Sequence, residues 1–315
     1  MSEGYILNPV LSEIRNEIKK VIKGKDIVID KILCAIIAEG HILLEDIPGV
    51  GKTTLAMALS KSMSLSYKRV QFTPDVLPSD IVGFSMYQNN TGTFEYRPGA
   101  VFSNLFLADE INRTSPKTQS ALLEVMEEGQ VTVDGVTRSL PAPFIVIATQ
   151  NPLGSSGTQR LPESQLDRFM VRLSMGYPDH DNAIEILKGD AYSKMDTIHT
   201  VIPADVVKQM QNEVEQLYVH DNLYDYIVRL TEETRKAEYF ELGLSPRGSI
   251  ALLRMAKATA YLNQRNYMVA EDIRSVFNDV CCHRVVLSTR AKTRGLKDSD
   301  VLTHLFSNVP IPGTP

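Results

Sequence analysis

Hydrophobic and polar residues follow two different periods along the chain. Between residues 2 and 40 the apolar positions recur with the helical period, as in LSEIRNEIKKVI and DIVIDKILCAII, which predicts amphipathic helices. Between residues 41 and 177 short apolar runs alternate with helical stretches, and the runs are HILLE, YKRVQF, NLFLAD, FIVIAT and FMVRLS. Strands of this kind, separated by helices, predict an α/β fold in which helices cover both faces of a parallel sheet.

The strand pattern stops after residue 177. A turn signal occupies residues 176–178, and the later periodic stretches all have the helical period. They are HDNAIEILKG, ADVVKQMQNEVEQLY, LYDYIVRLTEETRKAEY, SPRGSIALLRMAKATAYLN, AEDIRSVFNDVCCHRVVL and DSDVLTHLFSN. We therefore expect an αβα domain over residues 1–177 and an all-helical domain over residues 178–315.

Two segments of the α/β region have the alternation of β-hairpins. One is SMYQNNTGTFEYR, and the other is VTVDGVTRS, in which Asp134 and Gly135 form the strongest short hairpin signal. Each hairpin taken alone is equally well explained as a variable surface loop. The pattern therefore predicts the structure of these segments and leaves their use open.

The segment EDIPGVGKTT at residues 45–54 lies between a predicted strand and a predicted helix. In such a loop, glycines let backbone N–H groups converge on phosphate oxygens, and the start of the helix adds a positive dipole. Lys52 would reach the β- and γ-phosphates, and the Thr53 hydroxyl would bind magnesium. The predicted nucleotide contacts of this loop are Pro48, Gly49, Val50, Gly51, Lys52, Thr53 and Thr54.

One position of this loop departs from the strict pattern G-x-x-x-x-G-K-[ST]. Asp46 stands where the pattern has its first glycine. A glycine is needed there only if the backbone has positive φ or if a side chain would collide with the nucleotide. We therefore expect Asp46 to have negative φ and to direct its carboxylate away from the phosphates.

Acidic and amide residues end two further predicted strands. In LFLADEIN, Asp109 and Glu110 come at the strand end, where open parallel sheets place their ligands. Asp109 would hold the magnesium, directly or through water, and Glu110 would act as general base toward an attacking water. FIVIATQNP ends in Gln150 and Asn151, and an amide there either orients the water, contacts the γ-phosphate or begins a turn.

The order of these segments resembles the AAA+ ATPases and, more closely, the MoxR family of bacterial AAA+ proteins. LLEDIPGVGKTT fits the family's phosphate loop (Walker A) with its aspartate, LFLADEINR fits Walker B, and IATQNP with Asn151 fits the sensor 1 segment. LPESQLDRFM matches the stretch with the arginine finger, here Arg168, and LSPRGSIALLR matches the start of the sensor 2 helix, here Arg247. The resemblance covers nearly the whole chain.

The resemblance implies an ATPase that binds ATP and Mg²⁺ between a P-loop NTPase core and a helical lid. It also implies a homo-oligomeric ring, usually a hexamer, in which the arginine finger acts on a neighbouring subunit. Arg160 is an alternative to Arg168 for this role, and whether Arg247 acts in cis or in trans stays open. VIKGKD resembles the family's adenine-contacting segment, with Ile22 and Gly24 as contacts, and the two hairpins lie where the family has its helix-2 insert and pre-sensor-1 hairpin.

The biological role that the resemblance implies is chaperone-like. It is the remodelling or maturation of protein complexes, or the insertion of metal cofactors, often with von Willebrand factor A domain proteins as partners. Two alternatives are a magnesium-chelatase-like motor subunit and a nucleic-acid-remodelling AAA+ motor. A nucleotide-sensing scaffold without turnover is disfavoured, because Glu110 is present as a base.

Net charge, apolar stretches and cysteine content limit the partners, the location and the metal sites expected of the chain. The chain has 315 residues and a formal net charge of -5, so a nucleic-acid partner is not expected, and the basic cluster at residues 290–297 is explained as a solvated loop. We expect a cytoplasmic protein without a membrane span, because long apolar stretches and a secretory signal pattern are both missing. The three cysteines cannot form a disulfide framework, and Cys281, Cys282 and His283 lack a second ligand pair for zinc.

Overall fold

A five-stranded parallel sheet forms the centre of the α/β part of the chain. The computed structural model describes residues 8–151, 161–189 and 193–313. In chain order, the α/β part contains α1 (Pro9–Ile18), α2 (Asp26–Ile37), β1 (Ile42–Glu45), α3 (Lys52–Ser62), β2 (Tyr67–Gln71), α4 (Pro78–Val82), β3 (Gly83–Gln88), β4 (Thr93–Pro98), β5 (Leu105–Asp109), α5 (Pro116–Glu128), β6 (Gln130–Val133), β7 (Val136–Ser139), β8 (Ile145–Gln150), α6 (Glu163–Leu166) and β9 (Val171–Leu173). The sheet has the strand order β2, β5, β8, β1, β9.

Side chains of the central strands alternate between two hydrophobic cores. Leu105 and Leu107 of β5 pack into the core that contains α1, α2 and α3, whereas Phe106 and Ala108 pack into the core that contains α5. Every residue of β5 is buried, as expected for an inner strand with helices on both sides. The five apolar runs are all strands of this sheet, so the predicted α/β fold class is confirmed.

Both predicted hairpins are present. Strand β3 pairs with β4 and strand β6 pairs with β7, each pair antiparallel. At the second turn Asp134 has φ 52° and Gly135 has φ 74°, the left-handed pair that a two-residue hairpin requires. The first hairpin exposes four large apolar side chains, Phe84, Met86, Tyr87 and Phe94.

The carboxyl-terminal part is mainly helical, as predicted. It contains α7 (His180–Lys188), α8 (Ala204–Glu215), α9 (Asp221–Lys236), β10 (Phe240–Leu242), α10 (Pro246–Leu262), α11 (Ala270–Cys281), β11 (Val286–Leu287), α12 (Thr289–Thr293) and α13 (Asp298–Asn308). A short 3-10 helix covers Ser193–Thr197. Helices α8, α9, α10, α11 and α13 each bury apolar side chains in the larger of the two cores, whereas α7 has no buried residue.

The expectation of helices alone after residue 178 needs one correction. Strands β10 and β11 pair antiparallel, and β11 lies within the run HRVVL that the helical pattern had absorbed. Helix α11 ends at Cys281 because His283 and Arg284 turn inward, where both are almost fully buried and contact the chain just before β9. The tertiary contacts of these two residues therefore override the helical period.

The helical part packs closely on the α/β part. Helix α2 contacts both α8 and α10, and α11 contacts β9. One continuous core joins the two parts, so the proposed domain boundary near residue 177 remains a prediction. Among the described residues, no helix is long and apolar enough to cross a membrane.

Candidate active site

The carboxyl ends of the central strands open into a cleft of about 570 Å³ between the sheet and the helical part. Strand β1 ends at Glu45, level with Gln150 of β8, and β5 ends at Asp109, level with Gln71 of β2. Parallel strands bring their carboxyl ends to one edge of a sheet, so these residues meet. The cleft is lined by eleven of the residues predicted from sequence, Ile22, Pro48, Gly49, Val50, Gly51, Lys52, Thr53, Thr54, Asp109, Glu110 and Asn151.

The loop between β1 and α3 has the backbone of a phosphate cradle. Gly49 has φ 86° and Gly51 has φ 92°, a region that favours glycine. A Cβ at Gly49 would meet nothing within 4 Å, so its backbone conformation and not its lack of bulk explains the glycine. Helix α3 begins at Lys52, and the first N–H groups of a helix have no partner within it. The loop therefore fits a polyphosphate.

Asp46 has negative φ, as predicted. Its side chain is buried, and its carboxylate accepts hydrogen bonds from Ser174 Oγ at 2.8 Å, Met175 N at 2.5 Å and Gly176 N at 3.0 Å. These donors belong to the segment that follows β9, so the carboxylate joins the phosphate loop to that segment. The sequence offered no signal for this anchor, because its donors lie about 130 residues away.

Lys52 lies at the floor of the cleft. Its Nζ donates to Asp46 O at 2.9 Å and to Ile47 O at 3.0 Å. Desolvation lowers the pKa of Lys52, while the nearby carboxylates of Asp46, Asp109 and Glu110 raise it. A cation held between these acids can neutralise the charge of a phosphate chain.

The two acids at the carboxyl end of β5 are held by contacts that the sequence did not predict. Thr149 Oγ1 donates to Asp109 Oδ1 at 2.6 Å and accepts the Glu110 N–H at 2.8 Å. Arg69 Nη2 donates to Asp109 Oδ2 at 2.7 Å. The Glu110 carboxylate accepts Arg113 Nη1 at 2.6 Å. Thr149 precedes the predicted amides by one or two positions, and only the pairing of neighbouring strands brings it to Asp109.

The oxygen atoms at this end of the cleft suit a hard cation. The Thr53 hydroxyl and the Asp109 carboxylate line the same cleft, and magnesium prefers such oxygen ligands. Glu110 has φ 56° and ψ 48°, a left-handed conformation that is uncommon for glutamate. Strained backbone of this kind concentrates at functional sites. The donor set therefore fits Mg²⁺ beside a polyphosphate.

The structure places Gly24 beside the cleft and not among the lining residues that it describes. Gly24 has φ 66°, and a Cβ there would lie 2.3 Å from the Asn182 side chain of α7. This glycine therefore permits a close approach of α7, while its neighbours Ile22, Lys23 and Lys25 line the cleft.

Arg168 and Arg247 also lie outside the cleft as the described residues form it. Both contact the carboxylate of Glu127 near the end of α5: Arg168 Nη2 lies 3.1 Å from Oε2, and Arg247 Nη2 pairs with Oε1. We call Glu127, Arg168 and Arg247 the arginine corner. Arg160, the alternative finger, lies outside the described residues.

The remaining basic and zinc-like candidates have local contacts. Arg290 pairs with Glu238 at 2.5 Å, and Arg294 Nη1 lies 3.3 Å from the Tyr239 hydroxyl. The sequence does not support a zinc role for His283, and its Nε2 lies 2.9 Å from Phe169 O. These contacts belong to the helical part and to its junction with the sheet.

Comparisons with known proteins agree with this geometry. Residues 41–171 match the family described as "ATPase family associated with various cellular activities (AAA)", and residues 232–305 match "AAA lid domain". The chain is 46% identical to the uncharacterized protein YeaC of Bacillus subtilis, over 97% of this chain and 96% of YeaC. It is 35% identical to "Chaperone MoxR1" of Mycobacterium tuberculosis, over 94% of this chain and 81% of that protein.

A solved structure shows the same architecture. The crystal structure of a Cytophaga hutchinsonii protein, described as a "putative ATPase", superposes with a TM-score of 0.89 at 38% identity. The match covers 96% of this chain and 95% of that one, so it includes both the sheet and the helical part.

Proposed function

Because the chain belongs to the MoxR family of AAA+ ATPases, we propose that it binds ATP with Mg²⁺ in the cleft and hydrolyses the nucleotide. One observation carries this proposal. The glycine loop before α3 and the carboxylates of Asp109 and Glu110 line the same cleft. A phosphate cradle beside a metal ligand and a general base is the arrangement that phosphoryl transfer to water needs.

Each residue of the cleft has its own role in the proposed reaction. The N–H groups of residues 49–53 and the Lys52 ammonium hold the phosphate chain. Thr53 and Asp109 would hold Mg²⁺, which would supply positive charge to neutralise the phosphates. Glu110 takes a proton from the attacking water, and Asn151 orients that water. Thr149, through its two hydrogen bonds, keeps Asp109 and Glu110 in a fixed relation.

The adenine is proposed to lie against apolar side chains at the helical side of the cleft. Ile22 and Ile186 both line this side, and Ile22 also approaches the phosphate loop at Gly51. Gly24 serves the same segment indirectly, by letting α7 come close. Backbone and apolar contacts of this kind bind a base without a dedicated polar pair.

The arginine corner supports a ring as the active form. Arg168 and Arg247 lie outside the cleft that the described residues form, where both pair with Glu127 and their side chains are 29% and 44% exposed. We propose that the chain assembles into a homo-oligomeric ring, a hexamer, in which both arginines reach the neighbour's nucleotide. An arginine supplied in trans stabilises negative charge in the transition state of phosphoryl transfer.

The proposed cellular role is chaperone-like remodelling or maturation of protein complexes, or insertion of a metal cofactor. A relative named as a chaperone supports this proposal. The exposed apolar side chains of the β3–β4 hairpin also support it, because clustered exposed apolar surface is typical of protein-contact sites. Proteins with von Willebrand factor A domains are the proposed partners.

The substitution Glu110→Gln tests the hydrolytic role. We expect ATP binding to persist and turnover to fall by at least about 100-fold, the usual contribution of a general base. Turnover is measured by phosphate release and binding by calorimetry, with Glu124→Gln, an exposed glutamate of α5, as the matched control. Wild-type turnover in Glu110→Gln would contradict the assignment.

The same variant tests the cellular role. With ATP bound and hydrolysis blocked, Glu110→Gln should retain client and partner proteins that the wild type releases. Removing residues 132–137, the tip of the β6–β7 hairpin, should reduce this retention while basal ATP hydrolysis persists. Retention that is independent of ATP would contradict a remodelling role.

A further inference from the structure

A buried arginine connects the helical part to the segment that contains Arg168. The Arg284 side chain is 2% exposed, and its Nε donates to Asp167 Oδ1 at 2.8 Å. Its Nη2 donates to Asp167 O at 3.1 Å and to Phe169 O at 2.5 Å, and its Nη1 donates to Met170 O at 3.0 Å. One guanidinium therefore holds the backbone on both sides of Arg168.

The carboxylate of Asp167 extends this connection to Arg247. Its second oxygen, Oδ2, accepts the Ser245 hydroxyl at 2.9 Å. Ser245 is the residue that caps α10, where its Oγ accepts the Gly248 N–H at 3.1 Å. Arg247 is the second residue of that helix. Asp167 thus joins the residue next to Arg168 to the first turn that carries Arg247.

The first turn of α10 leaves room for the buried arginine. A Cβ at Gly248 would lie 3.0 Å from Arg284 Cδ and 3.1 Å from Leu244 Cδ2. These separations are tighter than ordinary van der Waals contact, so a side chain at Gly248 would press on Arg284. Alanine normally improves a helix over glycine, so the glycine here fits a packing requirement.

Removing a buried charge from water costs much of what its partners return, so a buried ion pair is weak evidence for stability. We therefore assign this network a role in fixing the positions of its members. Burial lowers the pKa of Arg284 and Asp167 raises it, but an arginine stays charged under these conditions. Its planar group is also suited to holding several acceptors at fixed angles.

We infer that Arg284 is a positioning residue for the two arginines that act on the neighbouring subunit. Through Asp167, Arg284 fixes the positions of Arg168 and Arg247 relative to each other. Glu127 pairs with both guanidinium groups until they bind the neighbour's nucleotide. This inference rests on the proposed function.

The first experiment separates turnover from nucleotide affinity in the assembled protein. In Arg284→Lys we expect kcat to fall about 10-fold to 100-fold, because small misplacements of a catalytic group cost this much. The Kd for ATP should stay within about twofold, since Arg284 lies outside the cleft. Arg265→Lys is the matched control: Arg265 also pairs with a buried acid, with distances of 2.7 and 2.5 Å to Asp272, but within the helical part.

The second experiment mixes subunits. In rings that mix the two variants, Arg284→Lys chains supply an intact general base, Glu110. The Glu110→Gln chains supply correctly positioned arginines. We expect turnover well above that of either variant alone, as for the positive control, a mixture of Arg168→Ala and Glu110→Gln chains. A structural defect confined to the Arg284→Lys chain would not be rescued by its neighbours.

Each other outcome has a defined meaning. Rescue of Arg168→Ala without rescue of Arg284→Lys, or equal kcat in Arg284→Lys and Arg265→Lys, would overturn the inference alone. A wild type without ATP turnover, or an Arg168→Ala chain that is not rescued, would overturn the proposed function and the inference with it. If Arg284→Lys melts far below Arg265→Lys, Gly248→Ala replaces it, with a smaller loss of kcat expected for the same reason.

Discussion

The cleft and the arginine corner are built in different ways. The phosphate loop comes from ten consecutive residues, 45–54, which run from the last residue of β1 to the first turn of α3. The arginine corner joins Glu127 of α5, Arg168 after α6 and Arg247 of α10, and the first and last of these lie 120 residues apart. The conformation of the phosphate loop therefore depends mainly on local sequence, whereas the position of the arginine corner depends on how the lid packs. Changes in the two regions should affect Kd and kcat separately.

The largest expected effect is in the arginine corner. Arg168→Ala should lower kcat by about 10³-fold, because it removes transition-state charge stabilisation by an arginine. The Kd for ATP should remain near that of the wild type, because Arg168 does not line the cleft formed by the described residues. Steady-state phosphate release and calorimetry measure the two quantities. Arg229→Ala, which removes a half-exposed arginine of α9, is the control.

If Arg168→Ala instead weakened ATP binding with kcat unchanged, the separation between the two regions would fail. Loss of ring assembly in this variant would leave the cause of a fall in kcat ambiguous, so its oligomeric state is measured by light scattering. An unchanged ring with a low kcat is the result expected if the cleft and the arginine corner act separately.

The next effect is in the cleft. Asp46→Asn should lower the free energy of unfolding by about 3 kcal/mol, because one amide oxygen replaces a carboxylate that accepts three hydrogen bonds, one of them fully buried. The Kd for ATP should rise with it, because the phosphate loop loses its anchor, while kcat at saturating ATP changes little. Urea denaturation and calorimetry give the two values.

Asp75→Asn, an exposed aspartate after β2, controls for the loss of one negative charge. An Asp46→Asn protein with wild-type stability would show that the three hydrogen bonds do not hold the loop. A fall in kcat without a rise in Kd would show that Asp46 affects turnover, as the arginine corner does, and not the binding of ATP.

The smallest expected effect is a pH dependence near the arginine corner. His41 Nδ1 accepts the Val146 N–H at 3.0 Å and Nε2 lies 2.9 Å from Met126 O, so the ring fits as the neutral tautomer that donates through Nε2. Desolvation lowers the pKa of His41 to about 4. Met126 precedes Glu127, so this ring holds the end of α5 that carries the corner.

A lowered pKa in the folded state means that the unfolded chain binds the proton first as pH falls. Stability from His41 is therefore complete above about pH 6.5 and decreases toward pH 4, by about 2 kcal/mol between pH 7.5 and pH 5. His41→Gln should show a smaller loss over this range in urea denaturation. His304→Gln, on an exposed face of α13, should keep the wild-type slope, and an equal slope in all three proteins would refute the assignment.

The arrangement of the sheet was largely predictable from the sequence. β5 and β8 have nearly unbroken apolar runs because helices cover both of their faces, and the turn at Asp134 and Gly135 is a local signal. β11 was not predictable, because HRVVL continues the apolar period of α11, and β10 is the strand that pairs with it. Only the inward contacts of His283 and Arg284 show that the helix ends before it.

The sequence by itself determined the glycine loop before α3, the two acids at the end of β5 and the amide after β8, all of which line the cleft. Their chemistry depends on backbone conformation and strand ends that a few consecutive residues specify. Tertiary structure alone decided the anchoring of Asp46, the placing of Thr149 beside Asp109 and Glu110, and the meeting of Arg168 and Arg247 at Glu127. These contacts join segments far apart in the chain. Their geometry is set by strand pairing within the sheet for Thr149, by the segment after β9 for Asp46, and by the packing of the lid for Arg247, none of which a local pattern encodes.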